Sequence, residues 1–234
     1  MTRVPEPVRA CRVCGSDALH FNAVLWDRLI AEWQLAPAEV AYLDRQQGLH
    51  CTTCGAVLRT MALAEAIARC IEHDGPFAQF PDNPRARALR VLEINSSVGV
   101  SPVLANLPRH RQLSHPAIDM TAIDLPETSF DLVIHSDTLE HISAPRRALA
   151  ECRRVLAPGG FCCFTVPVVV GRMSRSRAGL PNSYHGAPGI ELDDFVVHTE
   201  FGADVWTYVL EAGFSGCEVV SLDYPGGIAF KARR

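Results

Sequence analysis

The 234-residue sequence lacks several things, and each absence closes off a class of function. It has no apolar run approaching the roughly 18 to 20 residues of a membrane span, so no membrane partner is expected. Its N-terminal stretch, MTRVPEPVRACRVCG, holds no apolar leader, and the expected compartment is the cytoplasm. It has no surplus of basic charge: 22 Lys and Arg against 26 Asp and Glu give a net charge of −4. A polyanion needs a basic face to bind, so nucleic acid is not an expected partner. Internal repeats and low-complexity tracts are missing as well, which leaves an ordinary folded chain.

What is present is a globular composition, 48% hydrophobic and 21% charged, in a length that holds one ordinary domain with an appended module. Nine cysteines in a reducing compartment point to metal binding, catalysis or burial rather than to disulfides. Four of them form two matched pairs, Cys11 and Cys14 in CRVCGS and Cys51 and Cys54 in CTTCGA, each followed by a glycine, Gly15 or Gly55. A CxxC turn lets two thiolates reach one metal ion, and the glycine allows a positive φ that turns backbone N–H groups toward sulfur. Two such turns complete a tetrahedral four-cysteine zinc site. Four thiolates close the coordination shell, so the zinc is expected to be structural rather than catalytic. Core packing would not need twin CxxCG turns, and a redox role would need only one pair. His20 and His50 lie near the turns as supporting candidates.

Between the pairs, AVLWDRLIAEWQL and APAEVAYLDRQQG predict two amphipathic helices, the second opened by Pro37. The first 72 residues therefore read as a small zinc ribbon with a helical hairpin inserted and an exit helix over Val57 to Glu72. Residues 73–88 hold HDGPFAQFPDNPRAR, whose prolines and glycine have the character of a linker. A second domain is expected over 89–234. There LRVLEIN and FDLVIHS predict short buried strands, and SPVLANL a helix opened by Ser101 and Pro102. APRRALAECRRVLAPGG predicts an amphipathic helix stopped by Pro158 and two glycines, and FCCFTVPV a further buried strand. Strand, helix, strand at these lengths means a parallel sheet with right-handed crossovers. FGADVWTYVLEAGF supplies another helix, and GCEVVSLDY with GIAFKAR can close the sheet as an antiparallel pair.

The run from Phe130 to Pro167, FDLVIHSDTLEHISAPRRALAECRRVLAPGGFCCFTVP, resembles the class I S-adenosylmethionine-dependent methyltransferases. It has their FD-initiated strand, LEH element, helix ending RVLxPGG and apolar strand ending in proline, in that order. Upstream, DMTAIDLPETSFD is similar to their segment of an acid, a spacer, LP and FD. The twin-CxxC front end, with QGLHCTTCGAVLRTMALA and the later YHGAP and HTEFGADVW, resembles a subgroup carrying an N-terminal zinc-binding module. The resemblance implies an α/β fold: a shortened Rossmann-like class I methyltransferase sheet preceded by the zinc ribbon, with a lid loop over about 168–200. It also implies S-adenosylmethionine as cofactor beside structural Zn2+. Cofactor-binding roles then fall on Glu93, Asn95, Ser97 and Gly99 in the first turn, Asp119 with Met120 at the adenine, and Ser136 with Asp137 at the methionine part.

Two departures from that family stand out. The first turn, EINSSVG, lacks the glycines of E/D-x-G-x-G-x-G, although Asn95 is among the few residues that take positive φ readily. Between Gly99 and Asp119 there is no Asp or Glu, so the carboxylate that would hold the ribose hydroxyls is missing unless one folds in from elsewhere. His110, Gln112, Ser114 and His115 are the neutral substitutes in that interval. A charge-assisted hydrogen bond contributes about 1.5 to 3 kcal/mol, roughly one to two decades of affinity.

Methyl transfer needs alignment, a nucleophile at close range and often a general base. His141 in LEHI and His185 in NSYHGAP are the candidate bases, because imidazole titrates near neutrality. Tyr184, Asp193, Asp194 and His198 share the lid segment with His185. Arg172, Arg175 and Arg177 form a basic run that either grips an anion or is a solvated face. Cys162 and Cys163 sit in an apolar strand and read as core. The leading expectation is S-adenosylmethionine-dependent methyl transfer to an O or N atom of a small-molecule acceptor. The zinc module then offers a surface for a homodimer or a protein partner. The alternative is a catalytically inactive methyltransferase-fold protein acting as a binding or scaffold partner.

Overall fold

The structure, a computed structural model, describes residues 7–186, 189 and 191–234. Two short stretches flanking the expected helical hairpin, LHF and LHC, pair antiparallel as β1 (Leu19–Phe21) and β2 (Leu49–Cys51). They close the base of the hairpin formed by α1 (Asp27–Glu32) and α2 (Pro37–Gly48). Proline at the first position of α2 gives up no hydrogen bond, and Glu39 accepts the Ala36 N–H at 2.9 Å to cap the turn. Next comes α3 (Leu58–Arg69), opened by Thr60, whose hydroxyl accepts the Val57 N–H at 3.1 Å.

Helix α3 is buried over ten of its residues, Leu58 to Ala68 except Glu65. A helix buried over so much of its surface must be covered on more than one face. One face lies on the central sheet, where Met61, Leu63 and Ile67 share a core with Leu132, Ile134, Cys163, Val220 and Ala229. Cys11, Val13, Cys51 and Ala56 belong to the same cluster. Residues 77–82, expected as linker, form a 3-10 helix, followed by α4 (Pro84–Ala88). Phe77 and Phe80 are buried there and stack 4.9 Å apart. The N–H groups of Phe77 and Ala78 donate to Arg12 and Val13 at 2.9 and 2.7 Å, tying this segment to the first CxxC turn. Prolines and glycine gave it the composition of a linker, but two phenylalanines need a core.

The remaining elements are β3 (Val91–Ile94), α5 (Ser101–Leu104), β4 (His110–Leu113), β5 (Phe130–Ser136) and α6 (Pro145–Val155). They continue with β6 (Leu156–Thr165), β7 (Val168–Val169), β8 (Arg175–Ser176), β9 (Thr199–Gly202), α7 (Val205–Glu211), β10 (Gly216–Leu222) and β11 (Gly227–Arg233). The central sheet runs β10-β11-β6-β5-β3-β4. Strand β3 is parallel to both β4 and β5, and β5 is parallel to β6. Strands β10 and β11 close the sheet antiparallel, as their sequence leads one to expect. Strand β4 has no apolar alternation: HRQL is a polar edge strand, which is why hydrophobic patterning does not reveal it. The far face of the sheet is covered by α6 and α7, through Leu149, Val155, Val205 and Val209. Strands β7, β9 and β8 make a separate small sheet in the expected lid segment.

The chain leaves β3 on one side for β4 and returns on the other as β5. In open α/β sheets ligands bind at such a reversal, beyond the carboxyl ends of the strands.

Candidate functional site

The four CxxC cysteines come together. Cys11 Sγ lies 3.6 Å from Cys54 Sγ, Cys14 Sγ lies 3.6 Å from Cys51 Sγ, and all four sulfurs are within 4.8 Å of one another. A tetrahedral ion with bonds of about 2.3 Å places its sulfurs about 3.8 Å apart. Gly15 and Gly55 have φ of +82° and +77°, so each chain doubles back and turns backbone N–H groups onto sulfur. Burial pushes the Cys11 thiol up. Burial also acts to raise Cys51, but the N–H groups of Cys54 and Thr53 together with the thiols of Cys14 and Cys54 outweigh it and bring that thiol down to about 6. His20 and His50 face each other across β1 and β2, 5.6 Å apart edge to face, and take no place in the four-sulfur group.

A cavity of about 550 Å³ opens at the carboxyl ends of β3 and β5, a size usual for small-molecule sites. Asn95, Asp119, Met120, Ser136, Asp137, His141 and His185, seven of the residues marked out by sequence, line it. Asn95 takes φ +62°. Its amide donates to Thr138 Oγ1 at 3.1 Å and its carbonyl accepts the His115 N–H at 3.3 Å, so one side chain joins the turns after β3, β4 and β5.

Glu93, Ser97 and Gly99, expected at the cofactor, do not line the cavity. The Glu93 carboxylate is fully buried, accepts from Ser101 Oγ at 2.6 Å and lies 2.9 Å from His110 Nε2. Ser97 donates its N–H to Ser101 Oγ at 2.7 Å and is buried. Gly99 turns away against Ala56 of the second CxxC turn. These three hold the turn in shape from behind, and Ser96 takes the forward position at the cavity.

Asp119 is exposed at the rim and accepts from the Thr121 N–H and hydroxyl at 2.7 and 2.8 Å; those bonds hold its carboxyl below the usual range. Both bonds fall on Oδ1, which leaves Oδ2 for a ligand. Asp137, in the positive-φ position after β5, pairs with Arg59 of α3. Burial raises its carboxyl to about 6 against the pull of the Arg59 charge. Arg59 itself is only 4% exposed, and its Nε and Nη1 have no hydrogen-bond partner among the described residues.

The opposite wall carries His141 and His185, with Glu140 fully buried against them. His141 donates its Nδ1 proton to the Val196 carbonyl at 3.1 Å, which leaves Nε2 as a free lone pair, and burial lowers its pKa. His185 stacks on it with ring centres 5.8 Å apart, and Gln47 of α2 reaches its Nε2 at 2.9 Å. Glu140 is buried between them. Burial acts to raise its carboxyl, and the two imidazoles outweigh it and hold it low.

The lid segment closes the cavity on a third side. Asp193, Asp194 and Phe195 line it, and Asp194 Oδ1 comes within 3.6 Å of His115 Nδ1. His198 contributes its N–H to the Glu140 carbonyl at 2.8 Å and does not face the cavity. Ala187 and Pro188 of the YHGAP motif lie outside the described residues. The arginine run is neither an anion grip nor a solvated face. Arg172 pairs with Glu39, while Arg175 and Arg177 both pair with buried Glu200, so all three fasten the lid. Cys162 and Cys163 are fully buried core, as their strand predicts.

Residues 84–164 match the family described as "Methyltransferase domain". The chain carries a methyltransferase domain. Its sheet is the Rossmann-like class I methyltransferase fold that the sequence resemblance implies. Over 108 residues, 42% of the chain, it is 36% identical to the polyketide synthase-like protein Preu9 of Preussia isomera, and it spans 4% of that protein's length. Among solved structures it is similar to a Burkholderia thailandensis 1,6-didemethyltoxoflavin-N1-methyltransferase, at 16% identity and a TM-score of 0.42, over 74% of this chain and 78% of that one. It is also similar to an S-adenosylmethionine-dependent methyltransferase of Mesorhizobium loti, at 17% identity and a TM-score of 0.39, over 67% of this chain and 98% of that one.

The residues that sequence reasoning passed over are Gln47, Arg59, Ser96 and Glu140. A signal existed for one of them: Arg59 is a lone cation inside the apolar run AVLRTMALA, where a buried charge needs a partner. Gln47 had no comparable signal, because only the fold brings α2 over the methyltransferase domain.

Proposed function

We propose that the cavity binds S-adenosylmethionine and that the chain transfers its methyl group to an O or N atom of a small-molecule acceptor. One observation carries this reading: Asn95, Asp119, Met120, Ser136 and Asp137 converge at the strand-order reversal of a methyltransferase domain. Asp119 Oδ2 accepts the adenine amino group, with Met120 and Ile118 against the ring. Asn95, Ser96 and His115 meet the ribose. The missing ribose acid is replaced from the lid, where Asp194 stands beside His115. Arg59 and Asp137 offer a cation and an anion side by side for the carboxylate and ammonium of the methionine part.

The acceptor enters on the side of His141 and His185. His141, whose Nε2 keeps a free lone pair, borders the cavity where an acceptor would lose its proton. Methyl transfer itself is a displacement at carbon, and what the chain supplies is alignment of the two partners and exclusion of water by the lid. Cys11, Cys14, Cys51 and Cys54 hold zinc. The donor set, the sulfur spacing and the N–H groups aimed at sulfur all suit it, and four thiolates leave no open position for chemistry. Among the described residues no helix is long and apolar enough to cross a membrane, and we place the protein in the cytoplasm.

Calorimetry with S-adenosylhomocysteine tests the reading. Saturable binding that weakens in Asp119→Ala supports it. No heat at millimolar ligand would sink it in favour of a scaffold role.

A further inference from the structure

Beside the cavity, a group of chemistry-bearing side chains serves neither the cysteine site nor the cofactor positions. Glu140 Oε1 lies 3.6 Å from His185 Nδ1 and 3.8 Å from His141 Nε2, and one ligand atom from each of the three residues lies within 4.8 Å of the others. The Glu140 side chain is 1% exposed, and neither of its carboxylate oxygens has a hydrogen-bond partner among the described residues. A buried carboxylate held at that depth without a hydrogen bond is costly. A cation between the three groups resolves it.

The surroundings are those of a metal site. A ligating histidine usually donates its second ring proton to a carbonyl, which fixes the ring and frees the other nitrogen. His141 does this, giving its Nδ1 proton to the Val196 carbonyl at 3.1 Å. Gln47 stands 2.9 Å from His185 Nε2. With its amide turned so that oxygen faces the ring, it takes the Nε2 proton and leaves Nδ1 for an ion. The His198 N–H, donated to the Glu140 carbonyl at 2.8 Å, fixes the backbone that carries the carboxylate. His141 and His185 border the cavity, with Glu140 buried against them, so an ion held among the three has open coordination positions toward it.

We propose that Glu140, His141 and His185 bind a divalent first-row transition ion, distinct from the four-cysteine zinc, on the acceptor side of the cavity. Two imidazoles and one carboxylate select Mn2+, Fe2+, Co2+ or Zn2+ over Mg2+ or Ca2+, which prefer all-oxygen shells. Its role rests on the methyl-transfer reading: the ion takes the oxygen of a hydroxyl-bearing acceptor and lowers the pKa of that hydroxyl. The proton leaves to water, the oxygen lone pair forms the new bond to the methyl carbon of S-adenosylmethionine, and the C–S electron pair returns to sulfur. In that arrangement the two imidazoles are ligands and not bases.

The test uses the full chain loaded with zinc at its cysteines. It is dialysed against Mn2+, which four thiolates do not favour, and bound manganese and zinc are counted by elemental analysis. The expected result is about one manganese per chain in addition to zinc, absent from His141→Ala/His185→Ala and from Glu140→Gln. Gln47→Ala should bind it about tenfold more weakly, as loss of an outer-shell partner does. Wild-type protein that takes up no manganese overturns the proposal without reference to any variant, and so does undiminished uptake by the double variant. Calorimetry with S-adenosylhomocysteine on the same samples separates the two readings. Cofactor binding without manganese uptake removes the metal site alone, whereas manganese uptake without cofactor binding removes the methyl-transfer reading alone.

Discussion

Gly99 sits directly against Ala56: a Cβ placed on Gly99 would stand 2.6 Å from the Ala56 Cβ and 2.9 Å from its Cα. The turn that follows the first strand of the methyltransferase domain is thus seated on the second CxxC turn. Gly99 also has φ +76°, a conformation that side chains resist. Gly99→Ala therefore combines a backbone clash with left-handed strain, and a loss of about 2 to 4 kcal/mol is expected. Urea unfolding checks this, and a change under about 0.5 kcal/mol would mean that the turn is not held by the module.

The same seating couples the proposed zinc to the proposed cofactor turn. Cys51→Ser removes a fully buried thiolate from the four-sulfur group, and binding energy at a structural zinc is folding energy. We expect zinc content to fall and the thermal midpoint with it. We also expect S-adenosylhomocysteine to bind more weakly, because Gly55 and Ala56 would no longer back the turn carrying Asn95 and Ser96. A variant without zinc that keeps wild-type stability and affinity would separate the module from the site.

Asp119 and Asp194 enter the cavity from different parts of the chain, one after β4 and one from the lid. Each is assigned one charge-assisted hydrogen bond to a different end of the nucleoside, so Asp119→Ala and Asp194→Ala should each cost about 1.5 to 3 kcal/mol, roughly ten- to hundredfold in Kd. The two losses should add approximately in the double variant, since the residues share no hydrogen-bond partner. An unchanged affinity in Asp194→Ala would leave the ribose without its carboxylate from the lid.

Much of this architecture was legible because its signals are local. The CxxCG turns, the FD strand, the LEH element and the RVLAPGG helix stop each declare themselves within a few residues. Asn95 at positive φ also followed from residue type. What was not legible depends on distant segments. Glu93, Ser97 and Gly99 occupy motif positions of a cofactor turn, yet here they face Ser101, His110 and Ala56, and no local pattern says which side of a turn will meet another module. Arg172, Arg175 and Arg177 form one basic run in sequence, but their partners Glu39 and Glu200 lie far from them along the chain. Strand β4 is hidden for the opposite reason: at a polar sheet edge there is no hydrophobic alternation to detect.

His135 supplies the last prediction. It lies in β5, fully buried, stacked 4.9 Å from the Phe164 ring, with neither ring nitrogen hydrogen-bonded among the described residues. Burial lowers its pKa to about 4, the Glu140 charge opposing only in part. In the unfolded chain it returns to about 6.5. Between those values the unfolded state binds the extra proton, so stability is intact above about pH 6.5 and falls as pH drops toward 4, by about 3 kcal/mol in all. His135→Leu removes the titrating ring and two unpaired nitrogens from an apolar site. Its stability should exceed that of wild type at pH 5 by more than it does at pH 7.5, by about 2 kcal/mol. Urea unfolding of both proteins at the two pH values measures that difference directly, and any acid loss of zinc affects both alike. If the gap between the two proteins is the same at pH 5 as at pH 7.5, His135 is not buried as a neutral ring.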